Sequence, residues 1–312
     1  MPVQFYSHGK LLITGEYAVL DGALCLALPT RYGQSLEVYD QKEDNLLKWK
    51  SLDYKKQTWF ESTIRVGATS NELRLSASGN SPFNQNINNT LLAVLKAAIK
   101  LNPGFILELQ GKQIVTKLEF PNDWGLGSSS TFINNVAQWA KVDSYSLLWQ
   151  GFTGSGYDIA CAKHNSPLLY SVKNGKPQIT EVHFSPAFLD KLFFIHLNKK
   201  QNSREGIKRY RERKVEKDLL ETHINSLTLE ICNTDNLKTF ELLLEKHEHI
   251  IGEVLGLTPV KQLLFSNFKG AVKSLGAWGG DFILATGDKA YVVDYFATKG
   301  YSTVIPYPEM VL

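Results

Sequence analysis

The sequence predicts an α+β protein with two domains. Its 312 residues are many for a single hydrophobic core, so two domains that share a cleft are the expected arrangement. The first half contains mainly strand patterns, whereas the pattern changes near Ser185-Pro186 to strand–helices–strand–helix–strand. We therefore expect one domain over residues 1–186 and a second over residues 187–312.

The first half begins with strands and continues into helices. Apolar or alternating runs of strand length occur at 10–13, 23–28, 31–39, 105–109 and 114–120. The last two runs flank Gly111 and predict a hairpin, and the polar stretch 40–56 predicts a hairpin or a surface excursion. Apolar residues recur at helical spacing over 87–101, which an Asn-Pro-Gly turn ends, and a further helix is predicted over 131–141.

The second half combines a small number of strands with long helices. Strands are predicted at 191–197, 282–285 and 302–307, and helices up to residue 251, over 259–275 and over 289–299. This order predicts an α+β sandwich.

The overall composition excludes several classes of protein. A net charge of +3 is too small to attract nucleic acid or a membrane electrostatically, and no apolar run reaches the ~18 residues of a membrane span. Cys25, Cys161 and Cys232 lie far apart in apolar contexts, which indicates buried thiols of a reducing compartment. Because residues 1–10 lack a signal-peptide core, we expect a cytoplasmic protein. We further expect a monomer or homodimer that binds neither nucleic acid nor membrane.

The segment from Pro121 to Ser130 is the most informative part of the chain. Its two glycines allow close approach of the backbone to an anion, and the helix that follows adds free N–H groups and the positive end of its dipole. The segment matches neither the P-loop nor the dinucleotide-binding pattern. It predicts a phosphate cradle made of Gly125, Leu126, Gly127, Ser128, Ser129 and Ser130.

Three further segments combine glycine with polar residues, at 9–22, 154–160 and 273–281. Alone, they predict only a hairpin, a turn before a helix and a helix-to-strand turn. Together with the serine loop, and in this order, they resemble the three motifs of the GHMP kinase superfamily and its aspartate-bearing loop. The specific parts are G-L-G-S-S, G-K-x-x-x-x-G-E-Y-A-V-L-x-G and G-S-G-Y-D.

The resemblance implies a two-domain GHMP kinase fold, with a ribosomal-protein-S5-domain-2-like N-terminal half and a ferredoxin-like C-terminal half. It also implies ATP and Mg²⁺ as cofactors and a small molecule as the substrate. Within the superfamily, the chain is most similar to the mevalonate-pathway branch of isoprenoid synthesis, and to phosphomevalonate kinase first. Tyr17 stands where mevalonate kinases carry His, and residues 149–158 resemble the phosphomevalonate kinase pattern A-Q-G-x-x-G-S-G-F-D.

The resemblance assigns roles to individual residues. Asp158 would orient or deprotonate the accepting group, Lys10 would offset the developing negative charge, and Ser129 would hold Mg²⁺. The phosphate end of the nucleotide would be supported from the second domain by Gly276, Gly279 and Gly280. Substrate contacts are expected from Glu16, Tyr17, Ser155, Gly156, Gln201 and Ser203.

The chain departs from the family at three places. Gln150 occupies the stretch in which mevalonate kinases have a glutamate of the Mg²⁺ site, so metal would be held by ATP oxygens, Ser129 and water. Trp278 stands where the family has glycine, and its indole should narrow the nucleotide cleft or move the loop. The interval between Ser129 and Asp158 leaves room for little more than one helix.

Several alternatives stay open at the level of the sequence. A mevalonate kinase or a sugar kinase would carry the same motifs, although a surplus of cations at Lys10, Lys199, Lys200 and Arg204 favours 5-phosphomevalonate as the acceptor. A non-catalytic relic that binds nucleotide or RNA would keep the fold and lose the reaction, which the retention of Lys10, Ser129 and Asp158 argues against.

Two other charged or polar patterns are interpreted as structural rather than functional. The run from Lys208 to Lys214 contains interleaved glutamate and predicts a solvated helix face. His247 and His249 are two residues apart, so they point to different sides of a helix and form a poor metal pair. We assign these histidines no role from sequence.

Overall fold

The computed structural model describes residues 2–77 and 82–312, which divide into two units. Unit 1 comprises Met1–Gly9, Tyr32–Asn122 and Gly127–Lys163. Unit 2 comprises Lys10–Arg31, Asp123–Leu126 and His164–Leu312. Each unit is therefore built from three separate segments of the chain.

The strands are β1 (Val3–Leu12), β2 (Cys25–Asp40), β3 (Leu46–Leu52), β4 (Thr58–Arg65), β5 (Arg74–Ala77), β6 (Lys112–Leu118), β7 (Leu168–Lys173), β8 (Lys176–Glu181), β9 (Leu192–His196), β10 (Val272–Ser274), β11 (Phe282–Thr286) and β12 (Val304–Pro306). The helices are α1 (Pro82–Leu101), α2 (Phe105–Leu109), α3 (Ser128–Ala140), α4 (Ser144–Gly151), α5 (Tyr157–Lys163), α6 (Ser203–Arg211), α7 (Lys217–Asn233), α8 (Leu237–Leu255), α9 (Val260–Leu264), α10 (Lys289–Thr298) and α11 (Tyr307–Met310).

Unit 1 is a mixed sheet with helices packed together beside it. Strands β5, β4, β3 and β6 pair in that order with the second part of β2, and only the β3–β6 pair among these is parallel. Helix α3 packs against α1, α4 and α5. Since α3 begins at Ser128, its packing fixes the serines at its start within unit 1.

Unit 2 contains two groups of antiparallel strands. The first part of β2 pairs with β7, which pairs with β8. A separate four-stranded antiparallel sheet has the order β10-β11-β9-β12. An aromatic core, which includes Phe193, Phe265, Phe268 and Phe296, packs on this second sheet beneath α9 and α10. The order of strands and helices agrees with the predicted α+β class.

Three local predictions are wrong, each for a physical reason. Residues 105–109 form a helix instead of a hairpin strand, because their buried residues, Phe105, Ile106 and Leu109, follow the spacing of one helix face while Leu107 is 67% exposed. The predicted helix over 259–275 ends at Leu264, and the chain then turns through a left-handed Gly270 into β10.

The third correction concerns the interval between Ser129 and Asp158, which holds both α3 and α4. Helix α4 fits because Asp143 caps it: the carboxylate accepts a hydrogen bond from the N–H of Ser146 at 2.7 Å. Of the two alternatives for the stretch 40–56, the hairpin is the one that forms, since β3 pairs antiparallel with β4 and also pairs with β6.

The cysteines are all free thiols, Cys25 and Cys161 buried and Cys232 half-buried. Across residues 2–77 and 82–312, the helices lack the length and apolarity that crossing a bilayer requires.

Candidate functional site

The turn from Gly125 to Ser130 has the geometry of an anion-binding loop. Gly125 and Gly127 have φ angles of 65° and 89°, a left-handed conformation that is costly for other residues. Gly127 caps α3, whose first backbone bond runs from the N–H of Thr131 to the carbonyl of Gly127 at 3.0 Å. The N–H groups of the preceding serines therefore lie in the first turn, where a helix supplies no acceptor for them.

The three serine side chains of this turn are placed differently. Ser130 is buried and its hydroxyl donates to the carbonyl of Gly127 at 2.8 Å, which closes the turn. Ser128 is half-buried, and Ser129 is exposed at the helix start. Ser129 is therefore the hydroxyl of this turn that is most accessible to a ligand.

A buried polar network fixes α3 within unit 1. Asn134 donates to the hydroxyl of Ser7 at 2.8 Å, and that hydroxyl donates to Asn135 at 2.7 Å. Asn135 in turn donates to the carbonyl of Gln34 at 2.8 Å, and Ser144 donates to Asn134 at 2.7 Å. Because these buried groups satisfy one another, the network holds the helix and its loop in one orientation.

Asp158 lies in the first turn of α5, a helix of unit 1 that packs against α3. Asn134 on α3 donates to the carbonyl of Ala162 on α5 at 3.3 Å, which ties the two helices together. Asp158 is half-buried, and the glycine before its helix, Gly156, has a φ of 88°. Ser155 is 8% exposed. Unit 1 thus carries the candidate catalytic carboxylate on a helix fixed to the helix of the phosphate loop.

Lys10 contacts the phosphate loop within unit 2. Its Nζ donates to the carbonyl of Gly125 at 2.7 Å, and its backbone N–H donates to the carbonyl of Leu126 at 2.9 Å. A Cβ built on Gly276 would lie 3.9 Å from the same Nζ. The predicted catalytic lysine, the start of the phosphate loop and the third glycine segment therefore come together in this unit.

The glycine segment after β10 is a tight turn with little room for side chains. Gly276 and Gly279 have φ angles of 60° and 87°. A Cβ on Gly280 would meet the carbonyl of Lys199 at 2.6 Å, so only glycine fits there, whereas a Cβ on Gly279 would come no closer than 3.8 Å to Gln201. The turn therefore leaves exposed backbone at Gly279, where an anion could approach.

Asp281 ends this turn, and sequence analysis did not assign it to the site. A Cβ on Gly125 would lie 2.3–2.8 Å from the carboxyl atoms of Asp281, so the carboxylate lies directly against the phosphate loop. Its Oδ1 accepts from the N–H of Gln201 at 3.1 Å. Burial raises the pKa of Asp281, while the nearby Lys10 opposes the rise. The sequence Gly279-Gly280-Asp281, which ends the segment 273–281, is the signal that could have identified Asp281.

Glu16, a predicted substrate residue, is fully buried in unit 2. Its carboxylate pairs with Lys273, also fully buried, and lies 3.6 Å from Nε2 of His247. Burial raises the pKa of Glu16 to about 7, although Lys273 opposes the rise. Substrate binding by Glu16 stays a prediction. The burial of Glu16 favours instead a role in holding the turn after β1.

His247 and Glu248 on α8 complete this buried cluster, and sequence analysis missed both. Nε2 of His247 accepts from the N–H of Gly15 at 2.9 Å, which assigns the ring proton to Nδ1. Burial lowers the pKa of His247, with Lys273 adding to the effect, so the ring is neutral. Both carboxylate oxygens of Glu248 accept from the N–H of Ser274 at 3.1 Å. Helix α8 therefore anchors the turns that follow β1 and β10.

Tyr17 is largely buried beside these turns. Its hydroxyl donates to the carbonyl of Ala277 at 2.7 Å, and its ring stacks on Tyr210 with centroids 5.8 Å apart. A Cβ on Gly206 would meet the Tyr17 hydroxyl oxygen at 2.1 Å, which explains a glycine inside α6. Tyr17 therefore joins the turn after β1 to the glycine segment, and its contact with substrate stays a prediction.

Trp278 is 3% exposed, and its indole packs in a core cluster of unit 2 with residues such as Ile251 and Leu255. Its φ of 55° places it in the left-handed region, which is unusual for a bulky residue. The indole of Trp278 is therefore buried in this core, and the strain lies in the backbone of the glycine turn. Its Nε1 has no hydrogen-bond partner within the described ranges 2–77 and 82–312.

The remaining predicted residues lie on or near the start of α6. Gln201 is half-buried, whereas Ser203 and the side chains of Lys199, Lys200 and Arg204 are exposed. In unit 1, the exposed Gln150 accepts from Lys100 at 3.2 Å. The part of the chain that the structure describes holds no group of three His, Cys, Asp or Glu side chains arranged for a metal ion. Mg²⁺ commonly binds through one or two carboxylates and substrate phosphates, and in phosphate-binding loops also through a Ser or Thr hydroxyl, so the exposed Ser129 stays the predicted ligand.

Comparisons with solved structures identify the fold. The mevalonate kinase of Methanococcus jannaschii matches with a TM-score of 0.69 and 18% identity over 96% of this chain and 95% of that one. The Streptococcus pneumoniae phosphomevalonate kinase, solved with phosphomevalonate and AMPPNP, matches at 0.69 and 14% over 96% and 97%. The Lactococcus lactis galactokinase, solved with galactose, matches at 0.67 and 15% over 97% and 93%.

Sequence-based comparisons give no corresponding match: neither a protein-family model nor a curated protein matches the chain. At these identities the structural likeness shows the fold alone. The predicted fold class, α+β with the fold of GHMP kinases, is therefore confirmed.

Proposed function

We propose that the chain is an ATP-dependent kinase of the GHMP type that phosphorylates a small molecule. One observation carries the proposal: the left-handed Gly127 caps α3 in unit 1, so the N–H groups of the serines that follow lie in the first turn without an acceptor from the helix. Free N–H groups at a helix start bind phosphate oxygens, and holding phosphates is what phosphoryl transfer requires of a protein.

The proposed roles follow from the chemistry of each group. The N–H groups of residues 125–130 bind phosphate oxygens, and those of the glycine segment at Gly276, Gly279 and Gly280 support them. Ser129 holds Mg²⁺, which neutralises phosphate charge when bound. Asp158 accepts the proton of the acceptor hydroxyl or orients its phosphate oxygen, and Lys10 stabilises the negative charge that develops in transfer.

We propose 5-phosphomevalonate as the acceptor. A phosphorylated acceptor needs cationic partners, and Lys199, Lys200 and Arg204 are exposed at the start of α6, after the β9 strand. Free mevalonate has one carboxylate and needs fewer cations. Mevalonate and sugars such as galactose are the alternatives, since structural neighbours that carry those names share the fold.

The predicted substrate residues divide by exposure. Ser203 is exposed and Gln201 half-buried, so both are available to a ligand, whereas Ser155 and Gly156 are buried. Glu16 and Tyr17 are buried and hydrogen-bonded within unit 2. We therefore propose that Glu16 and Tyr17 shape the turn after β1 and that Gln201 and Ser203 contact the substrate. Ser155 and Gly156 form the turn before Asp158, and their contact with substrate stays a prediction.

A coupled assay of ADP release tests the proposal. The purified chain with Mg-ATP is given 5-phosphomevalonate, mevalonate, homoserine or galactose, and Asp158→Asn serves as the control for contaminating kinases. We expect turnover that is fastest with 5-phosphomevalonate. Faster turnover of mevalonate or galactose would overturn the acceptor and keep the kinase. Nucleotide binding without turnover of any acceptor would favour the non-catalytic relic.

A further inference from the structure

Asp281 connects three segments of unit 2 at the phosphate loop. Its carboxyl lies against the Cα of Gly125, close enough that a Cβ there would be 2.3–2.8 Å from it. Its Oδ1 accepts from the N–H of Gln201 at 3.1 Å, and its own N–H donates to the carbonyl of Lys199 at 2.7 Å. Asp281 is therefore held by both its side chain and its backbone, and its φ of 52° lies in the left-handed region.

A carboxylate at this position is unfavourable for simple anion binding. It places negative charge beside a loop that offers its N–H groups to phosphate, and like charges repel. Its partial burial adds a desolvation cost, which is seen in the raised pKa of Asp281. A residue that carries both costs needs a compensating interaction, and the nearest candidate is a cation.

Lys10 is that cation. Its charge opposes the rise in the pKa of Asp281. The Nζ of Lys10 also donates to the carbonyl of Gly125, the residue against which Asp281 lies. Asp281 and Lys10 thus both contact Gly125, the ammonium at its carbonyl and the carboxylate at its Cα.

We propose that Asp281 is a positioning residue for the kinase reaction proposed above: it orients the Lys10 ammonium and fixes the Gly125 peptide for phosphoryl transfer. Asp281 acts through Lys10 and takes no part in proton transfer. Because misplacement of a charged group by about 1 Å can cost about 10²-fold in rate, a charge that fixes a flexible lysine affects turnover strongly. Its repulsion of phosphate should make it neutral or unfavourable for nucleotide binding.

The first experiment tests the contact without reference to activity. The Tm is measured for Gly125→Ala, Asp281→Ala and the double variant. Because the added methyl meets the carboxyl of Asp281, the loss of Tm caused by Gly125→Ala should be at least about 2 °C smaller in the Asp281→Ala background. Strictly additive losses would show that the two residues do not touch in solution and would overturn the proposal.

The second experiment tests positioning with Asp281→Asn, which keeps an acceptor for the N–H of Gln201 and removes the charge. We expect kcat to fall about 10- to 10²-fold while the KM and Kd for Mg-ATP stay equal or decrease. A parallel loss of nucleotide affinity would show a merely structural role and overturn the proposal. The control is Asp190→Asn, an exposed carboxylate whose partner is Lys191 at 3.2 Å.

The outcome for the wild type separates this inference from the proposed function. If the wild type transfers phosphate and Asp281→Asn does so equally well, the positioning role fails alone. If the wild type turns over no acceptor, the kinase proposal fails and this role fails with it.

Discussion

Lys273 and Glu16 form an ion pair although both side chains are fully buried. The ammonium of Lys273 also donates to the carbonyl of Ser274 at 2.8 Å. The pair therefore joins the end of β10, where the glycine segment begins, to the turn after β1 that contains Gly15 and Tyr17. Two turns that lie far apart in sequence are fixed to one another by a charge interaction in the interior of unit 2.

Removal of one partner should destabilise the protein strongly. Lys273→Met leaves the Glu16 carboxylate buried without its cation, which typically costs about 3–5 kcal/mol in the free energy of unfolding. The double variant Glu16→Gln/Lys273→Met removes both charges and should recover part of this loss. Urea unfolding at pH 7.5 measures both effects.

The matched control for that measurement is a solvent-accessible pair of the same unit, Lys261 and Glu245, whose side chains are 26% and 38% exposed, with Nζ and Oε1 2.6 Å apart. Lys261→Met should cost no more than about 1 kcal/mol, since solvent screens exposed pairs. Equal losses for Lys261→Met and Lys273→Met would contradict the buried pair.

The raised pKa of Glu16 predicts a specific dependence of stability on pH. A carboxyl with a folded pKa of about 7 and a model value of 4.5 holds its proton more tightly when folded, so its contribution to stability is lost as pH rises from 4.5 through 7. Glu16→Gln cannot lose a proton. Its Tm relative to wild type should therefore improve between pH 5 and pH 8.

Two neighbouring groups, His247 and Glu248, also make stability depend on pH. The Tm of Glu16→Gln must therefore be compared with that of wild type at each pH. The pKa of His247 is lowered in the folded protein, so its contribution to stability is lost as pH falls below 6.5. This change opposes the effect of Glu16. Glu248, with a raised pKa, acts in the same direction as Glu16. Both groups are present in Glu16→Gln, so the difference from wild type isolates Glu16. Glu230→Gln, on the exposed face of α7, is the control for loss of a carboxylate outside the buried cluster.

The glycine turn and the helix start at Gly125 to Ser130 could be predicted from sequence because their signal is local, whereas phosphate binding there stays a prediction. Gly125, Gly127 and the serines that follow lie within a few residues of each other, and backbone freedom and helix polarity decide what such a run does. The helix begins at Ser128, three residues before its predicted start at Thr131. The predicted order of strands and helices in the second half also follows from local periodicity.

Contacts between distant residues could not be predicted in this way. His247 binds the N–H of Gly15 across 232 residues, and spacing rules on a helix consider only its near neighbours. The contact of Asp281 with Gly125 and the pairing of Lys273 with Glu16 depend equally on tertiary packing. Glu16 illustrates the consequence, since a charged residue on a predicted hairpin is in fact buried.

The proposed catalytic residues predict a loss of turnover with little loss of nucleotide binding. Asp158→Asn removes a proton acceptor, and kcat should fall by about 10² or more, the usual range for general acid–base help. Lys10→Met should lower kcat similarly, because charge stabilisation is lost. Steady-state kinetics measure kcat, and isothermal titration with Mg-AMPPNP measures the Kd.

Two further results would be informative for these variants. Asp143→Asn, which changes a helix cap on α4 instead of the candidate site, controls for loss of a carboxylate in unit 1. If Asp158→Asn and Lys10→Met both abolish nucleotide binding, the two residues belong to the nucleotide site and their assignment to the acceptor is wrong.

The nucleotide site itself predicts a thermal shift. A ligand present at about 100 times its Kd stabilises the folded state by about 2.7 kcal/mol, which corresponds to about 5 °C for a chain of this size. Mg-AMPPNP should therefore raise the Tm, and Ser129→Ala should reduce the part of the shift that depends on Mg²⁺ while leaving the shift with metal-free nucleotide. Ser226→Ala, on α7 and outside the loop, should behave as wild type. An unchanged Tm at millimolar nucleotide would contradict a functional phosphate loop, and an undiminished Mg²⁺ effect in Ser129→Ala would remove Ser129 from the metal site.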